Sequence, residues 1–401
     1  MRTRKPGRPL GRGRKLLFWT CLAGCLWLGF ESIVAAVVAT AGPGLVWRLG
    51  VRRPGDGPSL LGRDPLHKAF LRDFDADLGW DRPPRGPALE SSSARALVSA
   101  YGDSFTECTG PDDQTWEALL AKSLHANVIN FGVSAYGPDQ ALLKLKRLYS
   151  RNRTPVVLFG FLSRDISRIV NVFGSARLLE ETGTFLLNGR PYFMPTKPRF
   201  VLADGQLRLL ENPVRTEDDF MRLVFEPGYA RTFSSNDYFK NGYDLDRYSP
   251  PIFFPYALTL PRALWVRARN RGPIPDYAAM LMQDDRATHL LRAIFDEFIG
   301  MSQRDSFFGV VVLFGEADEL SYYLEHGRHR RLDPVVGYLR ERGYPYIDTV
   351  DILARHQRAT EPAEPISLYF DPSNHHSAYA HKIIAQGIED YLSPHLTNMA
   401  R

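Results

Sequence analysis

Cysteine is scarce in this chain, with three in 401 residues, at positions 21, 25 and 108. Cys21 and Cys25 fall in an apolar N-terminal run, so Cys108 stands alone in the remainder and no intramolecular disulfide is available there. Stability must come from a packed core, and the length suffices for one large α/β domain with insertions. A lone Cys108 reads as a small buried hydrophobe rather than a nucleophile. Basic stripes with interleaved aromatics are missing as well. Of a whole-chain formal charge of +5, Arg2, Arg4, Lys5, Arg8, Arg12, Arg14 and Lys15 supply seven positive charges with no acid among them, leaving −2 for the rest. The electrostatic footprint of a nucleic-acid binder is therefore absent. No phosphate-cradling Gly-rich loop is present. No Cys pair accompanies His326 and His329, and the charges of Arg328, Arg330 and Arg331 would repel a cation. That stretch reads as a solvated basic face, and neither a metal nor a cofactor is expected.

What is present begins at the N-terminus. After the basic residues 1–15, residues 16–30 are uncharged and rich in Leu, Trp and Phe, and the apolar run resumes beyond Glu31. This pattern predicts a membrane-targeting segment over 16–41. It is either a signal anchor or a leader cleaved after Ala39-Thr40-Ala41. A span over 16–36 puts Glu31 toward its outer end, where a carboxylate costs less than at the centre. Positive charge retained inside leaves the rest of the chain extracytoplasmic, anchored or secreted according to cleavage.

Residues 42–95 are rich in Pro, Gly, Arg and Asp and read as a stalk and lead-in. From Ala96 short apolar runs alternate with helical spacing. Strands are expected at 96–101, 127–133, 155–161, 308–314 and 346–350, with helices at 114–125, 138–149, 288–301, 334–340 and 378–391. Such alternation predicts a mostly parallel five-stranded sheet in a three-layer α/β/α sandwich over 96–392, followed by a short tail, 393–401. Residues 166–286 break the alternation and read as a large insertion after the third strand. Its rings, including Tyr192, Phe193, Tyr238, Phe239, Phe253, Phe254 and Tyr256, are expected to pack the insertion itself.

Ligand sites in such sheets lie outside the carboxyl ends of the strands, where Gly102-Asp103-Ser104 falls. A serine on that turn is exposed and lies beside helix-terminal N–H groups suited to a developing negative charge. A hydroxyl needs a base, and the base needs a group to hold its tautomer. Asp371-Pro372-Ser373-Asn374-His375-His376-Ser377 supplies both. His375 is the expected base and Asp371 its orienter, with His376 as the competing base.

The combination resembles the SGNH/GDSL hydrolases in four blocks spread over residues 96–391. Gly102-Asp103-Ser104-Phe105-Thr106, with Thr115-Trp116 behind it, is similar to the first. Asn130-Phe131-Gly132-Val133-Ser134-Ala135-Tyr136-Gly137-Pro138-Asp139-Gln140 resembles the second, and His375-His376-Ser377-Ala378-Tyr379-Ala380-His381 the last. The resemblance implies a flavodoxin-like sheet and an oxyanion hole from the N–H groups of Ser104 and Gly132. The third block departs: where the family has Asn-Asp, this chain has Gly160-Phe161-Leu162-Ser163-Arg164-Asp165. An ionised Asp165 in the position of the donating Asn would repel an oxyanion, so it must be protonated, turned away, or replaced in function by Arg164 or Ser163. Asp371 lies four residues before His375 rather than the usual three, which leaves Asp348 and Asp351 as substitute orienters.

With Gly79-Trp80 and the membrane segment, the resemblance extends to SGNH proteins that add or remove acyl groups on envelope or exported polysaccharides. A serine ester hydrolase acting on an acylated carbohydrate is the expected activity. An O-acyltransferase, a non-catalytic polysaccharide-binding or assembly subunit, and a lipid esterase with an apolar channel are the alternatives.

Overall fold

The computed structural model describes residues 11–40, 73–85, 96–108, 110–172, 185–187, 190–192, 196–219, 222, 229–233, 235, 237–238, 252–269, 276–360 and 362–399. Five strands form one parallel sheet: β1 (Val98–Tyr101), β2 (Val128–Asn130), β3 (Val156–Leu162), β4 (Phe308–Phe314) and β5 (Tyr346–Asp348), in the spatial order β2-β1-β3-β4-β5. Their near-continuous apolar runs, such as VVLFGFL in β3 with every residue buried, match a sheet covered on both faces. Order 2-1-3-4-5 reverses direction once, between β1 and β3. Right-handed crossovers then send the helices before and after that reversal to opposite faces. Accordingly α2 (Trp116–Leu124) packs against the closing helix on one face, and α3 (Pro138–Leu148) packs against α5 (Asp285–Asp305) on the other.

The connection from β4 to β5 holds two helices, α6 (Ala317–His326) and α7 (Asp333–Glu341), where the spacing predicts one. A helix that the alternation does not predict, α8 (Thr349–Ala359), follows β5, which ends at Asp348 rather than at 350. The Asp348 carboxylate accepts from the N–H groups of Val350 and Asp351 and so starts a helix in a sequence rich in β-branched residues. The closing helix α9 runs Ala378–Met399, one turn and more beyond the expected end, and α8 and α9 join α2 on its face.

Two stretches differ from the sequence reading in how tightly they pack. Residues 73–85 of the expected stalk lie against the domain: buried Trp80 donates from Nε1 to the Ser134 carbonyl at 3.1 Å, and Gln140 donates to the Leu78 carbonyl at 2.7 Å. The Pro- and Asp-rich composition of that segment concealed contacts made by only a few residues. Residues 42–72 lie outside the described residues. The expected solvated basic face is likewise half wrong, because His329 and Arg331 are both 5% exposed. Their acids come from distant elements. His329 Nε2 meets Asp348 Oδ2 at 2.7 Å and Nδ1 lies 3.5 Å from Glu319, while Arg331 is bound by Asp276 and Asp318.

Burial alone would lower the His329 pKa, but Asp348 and Glu319 push it up to about 9. A raised folded-state pKa gives stability that is complete below the unfolded value near 6.5 and is lost as pH rises through 9. The shift corresponds to about 3 kcal/mol. Unfolding midpoints of the full chain should therefore fall between pH 6.5 and 9, and fall less in His329→Gln; parallel curves would refute this role.

Candidate active site

The crevice at the strand-order reversal is lined by the turn after β1 and the turn after β3. After β1 the chain passes through Gly102, where a Cβ would come within 2.1 Å of Thr106 Oγ1 and 3.1 Å of Gly160 Cα, so the first turn and β3 approach as only glycine allows. Asp103 then caps a one-turn helix, Ser104–Glu107. Its Oδ1 accepts from Phe105 N at 2.9 Å. This cap fixes Ser104 at the first helical position with its hydroxyl in the crevice.

From the other end of the chain, the loop before α9 brings His375 to it. His375 Nε2 lies 2.9 Å from Ser104 Oγ, across 271 positions of sequence. The hydrogen bond at Nδ1 is with Ser373 Oγ, at 2.9 Å, and Ser373 in turn donates to Asp371 Oδ1 at 2.6 Å. Asp371 also accepts from the backbone N–H groups of Ser373 and His375, at 2.8 and 3.1 Å. Burial would raise its carboxyl, yet these bonds hold it below the ordinary carboxylate value. Asp371 thus anchors the loop, and Ser373 is the link from carboxylate to ring that the sequence reading missed. The spacing of 371, 373 and 375 at alternate loop positions was the available signal.

The other positions named from sequence fall elsewhere. His376 is 2% exposed and packed among Phe105, Phe314 and Phe370, and burial drives its pKa well below the ordinary histidine value. It is a neutral packing residue behind the serine. Asp348 is engaged by His329, and Asp351 by Tyr323 and Arg355. Cys108 is buried and donates to Glu117 Oε2 at 3.1 Å; burial pushes its thiol well up, in keeping with packing rather than nucleophilic attack. Among the aromatics of the expected insertion, Tyr256 is buried, but Phe253 and Phe254 are exposed against expectation. Phe193 and Phe239 lie outside the described residues.

The oxyanion side differs most from expectation. Gly132 sits where a Cβ would come within 2.4 Å of Glu107 N, so its loop presses on the Ser104 helix. Its N–H, however, donates to the Asn130 side chain at 2.8 Å, and Asn130 Nδ2 donates onward to Thr106 O at 2.6 Å. Asp103 takes the Phe105 N–H, and the N–H of Ser104 is the first-turn donor beside the hydroxyl.

Asp165 is turned away from a donating role. Its Oδ2 accepts from Leu162 N at 3.1 Å and its Oδ1 binds Arg168 Nη1. The same Nη1 donates to the Tyr136 carbonyl at 2.7 Å and lies 3.6 Å from Asp103 Oδ2. Burial raises both carboxyls, that of Asp165 strongly, with Arg168 opposing. Arg164 points to Glu316, whose other oxygen accepts from Asn374 in the histidine loop. Arg168, three residues after Asp165, escaped the sequence reading although that spacing is typical of a helical ion pair.

The sequence matches no family model and no curated protein. Among solved structures it overlaps Axe2, an acetylxylan esterase from Geobacillus stearothermophilus, at 11% identity over 75% of this chain and 94% of that one, with a TM-score of 0.34. A protein described as lipolytic, of the G-D-S-L family, from Desulfitobacterium hafniense overlaps at 10% identity over 74% and 100%, with a TM-score of 0.30. A Lactobacillus plantarum protein overlaps at 11% over 76% and 99%, with a TM-score of 0.36. Overlaps this low carry no argument about activity, and the strands and side chains of this chain have to supply it.

Proposed function

We propose that the chain is a serine ester hydrolase working through an acyl-serine intermediate, anchored by its N-terminal helix and acting outside the cytoplasm on O-acyl groups of a carbohydrate. The observation that carries the chemistry is the 2.9 Å contact between Ser104 Oγ and His375 Nε2 at the strand-order reversal. Ser104 Oγ attacks the ester carbonyl while its proton passes to His375 Nε2. Nδ1–H then donates to Ser373 Oγ, whose own proton is held by Asp371, so the imidazolium is stabilised through a hydroxyl. The C–O bond breaks, the leaving alkoxide takes the proton from Nε2, and an acyl-serine remains. Water repeats the sequence in reverse to release the acid and restore Ser104; a sugar hydroxyl in its place gives the transferase reaction. The carbohydrate and the location rest on the family resemblance and on α1 (Arg12–Thr40), which is long and apolar enough to cross a membrane.

A non-catalytic binding role has one observation in its favour. The Gly132 N–H is taken by Asn130, and Asp165 is no donor, so the Ser104 N–H is left without the two partners the resemblance implies. Each missing donor costs on the order of 3 kcal/mol in the barrier, so the two together weigh against a fast esterase while leaving the nucleophile and its base in place. The deciding experiment treats the full chain with a serine-reactive phosphonate and reads intact mass. A single adduct mapped to Ser104 and absent from His375→Ala is expected. An unmodified chain would leave only the binding role.

A further inference from the structure

The anchor helix is not isolated from the globular part. Glu31, the one charge inside its apolar run, is 5% exposed, and its two carboxylate oxygens accept from Tyr256 N at 2.8 Å and Ala257 N at 2.6 Å. These are the first N–H groups of α4 (Tyr256–Arg269), which intrahelical bonding leaves without partners. Ile252, Tyr256 and Ala263 form a small buried cluster with Val34 and Leu260 alongside. Positions 256, 260 and 263 share one face at helical spacing, so α4 lies against α1 by that face. A leader cut after residue 41 would remove Glu31 and Val34 and expose both N–H groups and the cluster.

Around the rest of α4, and in the residues leading into it, large apolar side chains are uncovered. Leu258 is 67% exposed, Trp265 61%, Phe254 58%, Leu264 54% and Phe253 45%. Arg262 and Arg269 are exposed among them, with the Arg269 guanidinium 5.3 Å from the Trp265 ring centroid. Large apolar and aromatic side chains interspersed with arginines are what a helix lying in a bilayer interface presents. The depth agrees. If the hydrocarbon begins at Leu16, Glu31 lies about 22 Å along α1, roughly 7 Å short of the far boundary of a core about 30 Å thick. An interfacial helix buries its apolar face about 5–10 Å deep. The start of α4, hydrogen-bonded to Glu31, is at that level.

We propose that α4 is a second membrane-contacting element, an interfacial helix whose Leu258, Leu264, Trp265 and preceding Phe253–Phe254 enter the bilayer beside α1 and hold the Ser104 domain against the membrane surface. The occupant of this face is lipid. Its continuity with α1 and the basic residues among its rings fit an anionic headgroup layer. The proposal rests on reading α1 as a retained anchor, and the test separates the two.

The full chain is reconstituted in phosphatidylcholine–phosphatidylglycerol vesicles with an environment-sensitive thiol fluorophore at one site at a time: native Cys25 in a Cys21→Ser chain, or Leu258→Cys, Leu264→Cys and Leu209→Cys in a Cys21→Ser/Cys25→Ser chain. Nitroxide lipids labelled high or low on the acyl chain serve as quenchers. Labels at 258 and 264 are expected to be blue-shifted and quenched more by the shallow nitroxide than by the deep one, whereas the exposed site 209, in the antiparallel pair of strands Arg199–Ala203 and Gln206–Leu210, is unaffected. Glu31→Ala should bring the 258 label to the behaviour of 209 while the Cys25 label stays quenched. If 258 and 264 behave as 209 while Cys25 is quenched, the interfacial helix is refuted and the anchor stands. If Cys25 is unquenched as well, both fall.

Discussion

Replacing Ser104 with alanine is expected to lower hydrolysis of a short-chain aryl ester by about 10⁴- to 10⁶-fold, close to the uncatalysed rate, because nucleophile and base act as one unit. His375→Ala should lose a similar factor, and the double variant little more, since neither group accelerates the reaction without the other. Equal rates for wild type and Ser104→Ala would remove Ser104 from the mechanism. The informative third variant is Ser373→Ala. Ser373 Oγ stands between His375 Nδ1 and Asp371 Oδ1 at 2.9 and 2.6 Å. Its removal leaves the ring without that partner, while the backbone bonds from 373 and 375 to Asp371 still hold the loop. A fall in kcat of about 10- to 100-fold with KM unchanged is expected, the pattern of a group that acts only once charge develops. A neutral Ser373→Ala with a crippled Asp371→Asn would mean that the carboxylate holds the ring without the hydroxyl. Ser373 is a positioning residue in this scheme, and the split between kcat and KM is what distinguishes that role from a structural one.

The sheet was legible because each strand is a short apolar run bounded by a turn, and runs such as VVLFGFL and FGVVVLF have no competing helical period. Order 2-1-3-4-5 was accessible only through the family resemblance, since alternation alone does not rank the strands. Helices α6 and α8 escaped because their starts are set by context. Asp348 begins α8 by capping, yet in sequence it falls inside the run 346–350 that reads as strand. Helix α1 was plain from composition. That its Glu31 would meet α4 was not, since the partner is backbone N–H more than two hundred residues away and leaves no mark in side-chain pattern.

In the site, serine and histidine were readable because each occupies a fixed position relative to a strand end or a helix start. The polar groups around them were not. Asn130 falls inside the strand expected over 127–133, and its capture of the Gly132 N–H depends on the strand ending there and on a loop geometry that no spacing encodes. Asp165 reads as an awkward substitute for an amide; what the spacing does not show is Arg168, which lets a buried carboxylate exist beside a second one.

Arg168→Met is expected to be the most destabilising substitution at the site, by about 3–5 kcal/mol, because it removes one partner from a buried ionic cluster and leaves the others unpaired. Asp103 and Asp165 are each 1% exposed, and Asp103 Oδ2 has no hydrogen-bond partner beyond its approach to the guanidinium. Burial already raises both carboxyls against the opposition of Arg168; without it they rise further and take up protons. A raised folded-state pKa means that the folded form binds protons more tightly than the unfolded form. The variant should therefore be least impaired near pH 5 and lose stability as pH rises through the new folded values. Denaturant midpoints of wild type and variant should diverge from pH 5 to 8. Arg168→Met/Asp165→Asn should recover part of the loss, because one of the two charges no longer needs a partner. A pH-independent deficit would assign the effect to packing around the aliphatic stem. An undiminished midpoint would show that the cluster is not ionised. Arg168 also holds the Tyr136 carbonyl, four residues after Gly132, and so ties the Gly132 loop to the turn after β3. The same variant should thus lower the turnover of whatever folded protein remains, joining the stability of the buried acids to the shape of the oxyanion side.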